Sequence, residues 1–291
     1  MTIRPLRSAL YMPGSNARAL EKARTLPADA VILDIEDAVA PQQKEAARDQ
    51  VCAAVKAGGF ADRTVVIRIN AMSAPWGEAD LAAACQAAPD AVLLPKPSSA
   101  GDIDAVSAAM RRAGAPDRTR LWAMIETPLA VLDARQIAAA SRHAGSRLTT
   151  LVLGTNDLVK ETRADLDPAR TAALYWLSAS VTAARAFGLS VLDGVYNDFK
   201  NRAGLEAECR QGRMLGFDGK TLIHPDQIDA ANTVFSPAPD EVARARAIIA
   251  AFDLPENAGK GVITVDGRMV ELLHCEMARR TVAIADAIAR R

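Results

Sequence analysis

An excess of charge of either sign is missing from this sequence. Its 35 Lys and Arg residues equal its 35 Asp and Glu residues. Aromatics make up only 4 %, and none interleave with a basic stripe. Together these remove the electrostatic case for a nucleic-acid binder. Cysteine is scarce too: Cys52, Cys85, Cys209 and Cys275 stand far apart, with no CxxC spacing. That excludes a disulfide frame and a thiolate zinc site, and it is the usage of a reduced compartment. No apolar run approaches the roughly 20 residues of a membrane span. The opening "MTIRPLRSALYMPG" has neither the long apolar region nor the small-residue cleavage site of a secretion signal. The expectation is a soluble cytoplasmic protein whose partners are neither nucleic acid nor membrane.

What is present is apolar bulk in short pieces. Half of the 291 residues are hydrophobic, enough for a sizeable core without staples. The apolar runs are "RSALYMPG" (7–14), "AVILDIED" (30–37), "TVVIRIN" (64–70), "AVLLPKP" (91–97), "LWAMIET" (121–127), "TTLVLGTND" (149–157), "SVLDGVYND" (190–198) and "GKTLIHP" (219–225). Each is near-continuous in Val, Ile and Leu, the pattern of parallel strands buried on both faces. Helix-like segments alternate with them, such as "NARALEKARTL", "PQQKEAARDQVCAAVKAG" and "PLAVLDARQIAAASRHAG", with Pro at starts and Gly at stops.

Eight such units over about 230 residues predict a (β/α)8 barrel, whose usual size is about 250 residues. A doubly wound open sheet is the alternative, but the first turn "MPGSNARAL" carries no GxGxxG fingerprint. Past residue 235 the texture changes to a helix entered through Pro237 and Pro239, a hairpin turning at Asp266-Gly267, and a last helix. We therefore expect a catalytic barrel over 1–235. Residues 236–291 then form a helix–hairpin–helix extension that packs on a neighbouring subunit.

In a parallel barrel the C-terminal ends of all strands meet at one face, where sites are built. Those ends deliver Pro13-Gly14, Glu36-Asp37, Arg68 and Asn70, Lys96, Glu126, Asp157, Asp198 and His224. Several carboxylates on one rim repel one another, and a cation resolves the repulsion. Glu126 and Asp157 close the adjacent fifth and sixth strands, with no Cys or clustered His nearby. Such hard oxygen ligands select Mg2+ or Mn2+, which keep waters and take substrate oxygens for their other positions. For either acid alone, helix capping or pairing with Lys96 or Arg68 is an equal reading; adjacency of the two favours the metal.

Arg68 lies between Ile67 and Ile69, so its charge needs a partner or the site. It reads as a cation for a carboxylate or a developing oxyanion, or as the internal partner of Glu36 or Asp37. Arg18 and Lys22, at i and i+4 on the first helix, suit a phosphate-bearing substrate, though such pairs are commonly an ordinary solvated face.

These stretches resemble the HpcH/HpaI aldolase–citrate lyase β superfamily, and within it the CoA-ester lyases that cleave malyl-CoA or citramalyl-CoA. The resemblance runs through "VILDIEDAV", "VIRIN", "LLPKP", "MIETP", "GTND" and, most specifically, "GFDGKTLIHPDQI", "FSPAP" and "GKGVITVDGRMVE". It implies a barrel in trimers or hexamers with Mg2+ on Glu126 and Asp157. It also implies a CoA ester held by Tyr11, Arg18, Lys22, Ile223 and His224, and Arg68 on the oxygen of a 2-oxo acid or enolate.

Family lyases close a neighbour's site with an aspartate after "GxM-[IV]". Here that position is Glu271, whose extra methylene moves the acid by roughly an ångström, a displacement that can cost about 10²-fold in rate. Glu271 then reads as a working acid/base, as one retuned for another substrate, or as a mark of lost lyase activity.

The expected reaction is a Claisen-type cleavage or condensation. A 3-hydroxyacyl-CoA such as malyl-CoA or citramalyl-CoA is exchanged with acetyl-CoA and glyoxylate or pyruvate. Water attack on the same polarised intermediate would add thioesterase turnover. Rival readings are a CoA-free aldolase, a citrate lyase β subunit working on an acyl-carrier thioester, a Schiff base at Lys96, and a non-catalytic scaffold.

Overall fold

The computed structural model describes residues 4–291. Eight parallel strands, β1 (Ser8–Pro13), β2 (Ala30–Asp34), β3 (Thr64–Arg68), β4 (Ala91–Leu94), β5 (Arg120–Ile125), β6 (Leu148–Leu153), β7 (Ser190–Asp193) and β8 (Gly219–Leu222), close into a barrel in sequence order, β8 pairing with β1. Around them lie α1 (Ala17–Ala23), α2 (Lys44–Ala57), α3 (Gly77–Ala87), α4 (Ala100–Arg112), α5 (Pro128–Leu132), α6 (Ala134–Ala139), α7 (Thr155–Thr162), α8 (Leu174–Phe187), α9 (Arg202–Leu215) and α10 (Ile228–Phe235). This is the (β/α)8 fold expected from the alternation.

The strands are buried on both faces, which is why their sequences run apolar without a break. One face points down the barrel axis: Ala9, Ala30, Ile32, Val66, Ala91, Leu93, Trp122, Met124, Val152 and Leu192 form a single buried cluster. The other face, including Val31, Leu33 and Ile67, is equally inaccessible. Side chains alternate along a strand, so stepping two residues past an axial position gives the groups that line the mouth. Ala9 leads to Tyr11, Ile32 to Asp34, Val66 to Arg68 and Met124 to Glu126.

Contacts divide the chain into two compact units, Leu6–Thr233 and, among the described residues, a second that contains Val234–Arg291. The second holds α11 (Pro239–Phe252), the antiparallel strands β9 (Val262–Val265) and β10 (Arg268–Glu271), and α12 (Leu272–Ala289). Asp266 and Gly267 both take positive φ, 49° and 72°, as a two-residue hairpin turn demands. Ala245, Ile248, Ile263, Val270, Cys275 and Ala278 make this unit's own small core.

Two sequence expectations change. "PLAVLDARQIAAASRHAG" forms two helices, α5 and α6, because Asp133, at φ −99° and ψ 12°, leaves helical geometry between them. "TTLVLGTND" is not strand throughout: β6 stops at Leu153, Gly154 caps α7, and Asp157 sits in the first helical turn. Asp198 likewise lies in the loop after β7, not at a strand end. No helix among the described residues is long and apolar enough to cross a membrane.

Candidate active site

The mouth of the barrel is organised by a pair that sequence reasoning missed. Asp34 and Arg68 are register partners on β2 and β3. Arg68 Nε donates to Asp34 Oδ1 at 2.7 Å and Nη2 donates to Oδ2 at 2.6 Å, a bidentate clamp. The remaining nitrogen, Nη1, lies 2.9 Å from Glu36 Oε2 and donates to Asp37 Oδ2 at 3.2 Å. The guanidinium also sits 4.8 Å from the Tyr11 ring centroid, within cation–π range. Burial works against the Arg68 charge, but Asp34 foremost, with Tyr11 and Glu36, outweighs it and holds the pKa well above the ordinary arginine value. The internal-pair reading of Arg68 therefore holds for Glu36 and Asp37 and is led by Asp34. The signal was an acid inside an apolar strand run at the same depth as an arginine in the next one.

Glu126 follows β5 and is fully buried. Its Oε1 accepts the Lys96 backbone N–H at 2.8 Å, whereas Oε2 is buried with no hydrogen-bond partner. Burial foremost, then the charges of Glu36 and Asp157, push its pKa up to about 8. Lys96 stands in the left-handed region at φ 53° between two prolines, which turns its N–H onto Glu126. Its ammonium lies 3.1 Å from Glu36 Oε1 and 3.8 Å from Asp157 Oδ1. Burial lowers the Lys96 pKa, but Glu36 reverses this and the net shift is upward. That ammonium is already committed to two carboxylates.

Gly154 explains how the ends of β5 and β6 come so close. A Cβ there would stand 2.3 Å from Glu126 Cβ and 2.6 Å from Glu126 Oε2. Only a residue without a side chain leaves room for the glutamate.

These observations test whether a divalent ion fits. Glu126 offers an unpartnered, buried, hard oxygen, and Asp157 in the first turn of α7 offers a second carboxylate whose electrostatic influence reaches Glu126. Among the described residues no three His, Cys, Asp or Glu side chains converge as a complete cage. Two carboxylates with waters and substrate oxygens match Mg2+ chemistry and not a structural zinc site. The residues present fit the ion.

The other expected site residues are placed as follows. Tyr11 is half-buried at the mouth, its hydroxyl 3.9 Å from Met124 Sδ. Burial foremost raises its pKa above the ordinary tyrosine value. Arg18 and Lys22 are exposed on α1. Ile223 is exposed just past β8, and the His224 ring stacks on Phe199 at 4.7 Å and 21°. Glu271 belongs to the C-terminal unit, half-buried at the N-cap of α12, where its backbone N–H donates to His274 Nδ1 at 2.9 Å.

Comparison with known proteins adds identity to this geometry. The HpcH/HpaI aldolase/citrate lyase family matches residues 7–225. A (3S)-malyl-CoA thioesterase of Cereibacter sphaeroides (strain KD131 / KCTC 12085) is 50 % identical over 98 % of this chain and 96 % of its own. The citrate lyase subunit beta of Escherichia coli (strain K12) is 35 % identical, over 97 % of this chain and 94 % of its own. Among solved structures, CitE from Mycobacterium tuberculosis in complex with magnesium, acetoacetate and coenzyme A superposes with a TM-score of 0.75 at 31 % identity. That match covers 96 % of this chain and 97 % of the other.

Proposed function

The chain belongs to the HpcH/HpaI aldolase/citrate lyase family, and from that premise we propose that it is a Mg2+-dependent enzyme acting on the CoA thioester of a short 3-hydroxy acid such as malyl-CoA. The observation that carries this is the convergence of an orphaned Glu126 oxygen, Asp157 and a clamped arginine at one barrel mouth. Its main reaction is hydrolysis of the thioester, supported by the 50 % identity to a (3S)-malyl-CoA thioesterase along nearly the whole chain. Cleavage to acetyl-CoA and glyoxylate, or the citramalyl-CoA equivalent giving pyruvate, is the second reading. The kinship to citrate lyase β and the CitE complex with magnesium and coenzyme A favour it.

When bound between Glu126 and Asp157, a divalent ion would supply Lewis-acid polarisation of the hydroxy-acid or oxo-acid end. The protein's own groups do the rest. Asp34 fixes the far edge of Arg68, which leaves Nη1, paired with Glu36 and Asp37, as the nitrogen that would stabilise charge on a substrate oxygen when that oxygen takes the place of one of those carboxylates. Glu36 and Lys96 hold each other at 3.1 Å and keep Lys96 from acting as a Schiff-base amine. Arg18 and Lys22, exposed on α1, hold the CoA phosphates, with Tyr11, Ile223 and His224 along the rest of the ester.

Glu271 arrives from a second copy in a trimer or hexamer. The exposed Met269, Leu272, Leu273 and Met277 beside it are consistent with such a docking face. There it returns a proton to the α-carbon of the thioester if the carbon–carbon bond is cleaved. In hydrolysis, water adds to the thioester carbonyl, the carbon–sulfur bond breaks, and the products are the free hydroxy acid and CoA thiol.

One incubation separates the readings. With malyl-CoA and Mg2+, release of free thiol and malate without glyoxylate supports hydrolysis, whereas glyoxylate and acetyl-CoA without free thiol supports the lyase. Turnover of neither kind, or turnover that survives EDTA, would remove the proposal.

A further inference from the structure

We propose that Gly194, pinned by the ionic cluster of Arg170, Asp193, Glu208 and Lys220, is a positioning residue that sets the start of α7 and with it Asp157. This rests on the reading of Asp157 as half of the metal pair.

The cluster lies outside the barrel axis, between β7–β8 and the helix layer. Lys220 is fully buried, its ammonium 3.1 Å from Asp193 Oδ2 and 2.5 Å from Glu208 Oε1. Arg170 Nη1 donates to both Asp193 oxygens, at 2.8 and 2.9 Å, and its Nε donates to Gln211 at 2.7 Å. Two cations and two anions balance. Well-packed apolar residues would generally serve stability as well as such a buried cluster, so packing alone does not account for it.

What apolar side chains could not do is hold the main chain. Lys220 Nζ donates to the Gly194 carbonyl at 2.5 Å, and the Gly194 N–H donates to Asp193 Oδ1 at 2.8 Å. Thr221 Oγ1 donates to the Asp193 carbonyl at 3.0 Å. The first residue after β7 is thus fixed from both sides of its peptide group.

Gly194 in turn abuts α7. It is not in the left-handed region, so its backbone would accept alanine. The obstacle is Thr155: a Cβ at Gly194 would stand 2.5 Å from Thr155 Oγ1 and 2.7 Å from Thr155 Cγ2. Thr155 is the first residue of α7 and Asp157 the third. Further along the same loop, Asn197 and Asn156 exchange side-chain amide hydrogen bonds at 2.8 and 3.3 Å. The loop therefore meets α7 on both residues that precede Asp157.

The test is steric complementation read as metal affinity. Mg2+ is titrated calorimetrically into the full-length wild type, Gly194→Ala, Thr155→Ala and the Gly194→Ala/Thr155→Ala double variant, with circular dichroism and Tm recorded for each. The added methyl should raise the Mg2+ Kd by about tenfold or more, the range for disturbing groups that orient a ligand. Removing the threonine branch should return most of that loss, because the nearest remaining Thr155 atom is Cβ at 3.1 Å. Asn197→Ala, on the exposed side of the loop, should raise Kd severalfold and decides the matter if Gly194→Ala does not fold. A folded Gly194→Ala with wild-type Kd, a double variant no better than the single, or an unchanged Asn197→Ala would each overturn the inference. A wild type that binds no Mg2+ would instead remove the metal-pair reading on which it rests.

Discussion

Replacing Glu126 with Gln should flatten the fall of this protein's stability with rising pH. In the folded chain the Glu126 carboxyl has its pKa pushed up to about 8, foremost by burial; in the unfolded chain it titrates near 4.3. Between these values the native state binds a proton that the unfolded state has released. The slope of unfolding free energy against pH is then negative. The contribution is complete below pH 4 and is lost as pH rises through 8, by about 1.4 kcal/mol per unit and about 5 kcal/mol in all.

Divalent-ion binding runs the other way. The ion needs the carboxylate, so each unit of pH below 8 should cost about tenfold in affinity, with a plateau above. The assay is thermal unfolding from pH 5.5 to 9, in EDTA and in excess Mg2+. Metal-free wild type should lose about 2–4 °C per pH unit more than Glu126→Gln, and Mg2+ should restore the wild type alone. Equal pH slopes for the two proteins, or one Mg2+ affinity at pH 6 and pH 8, would refute the reasoning.

Further outcomes are expected. Gly154→Ala drives a methyl into Glu126 and should lose Mg2+-dependent turnover together with about 1–3 kcal/mol of stability in denaturant titration. Asp34→Ala leaves the Arg68 guanidinium buried without its bidentate partner and should cost about 3–5 kcal/mol, measured the same way. Arg18→Ala with Lys22→Ala should raise KM for the CoA ester severalfold and leave kcat in place; in the condensation direction of the lyase reading the KM of the oxo acid should not move, and equal effects on both substrates would argue against the phosphate role. Glu271→Gln should abolish α-proton exchange of acetyl-CoA in deuterium oxide while acetyl-CoA still binds. Exchange at the wild-type rate would take Glu271 out of the chemistry.

The barrel was legible because each strand is buried on two sides and so writes itself as an unbroken run such as "AVLL" or "TVVIR". Glu126 and Arg68 were legible for a related reason, since they sit where polar chemistry ends such a run, whereas Tyr11, inside β1, was named only through the family resemblance. Asp157 was legible as a residue but not as a position: the run in β6 ends at Leu153, and the three residues Thr155–Asp157 begin a helix whose cap is a glycine. Asp34 stands inside "VILDIED" between Leu33 and Ile35, just ahead of the more conspicuous acidic pair Glu36-Asp37. The parts played by Gly154 and Gly194 depend on contacts with Glu126 and Thr155, residues brought near by barrel closure and not by spacing. Nothing local in the sequence marks them.

Lys96 ties together the segments that follow three strands, with two different parts of one residue. Its peptide N–H serves Glu126 and its ammonium serves Glu36 and Asp157. Trimming the side chain therefore frees the second set of acids while the glutamate keeps its donor. A proline introduced at that point would take away both functions at once, the hydrogen that Glu126 accepts and the ammonium that faces Glu36 and Asp157, and with φ pinned negative it could not keep the left-handed turn of this loop. Mutational surveys that read position 96 only as a charge would record half of what it does.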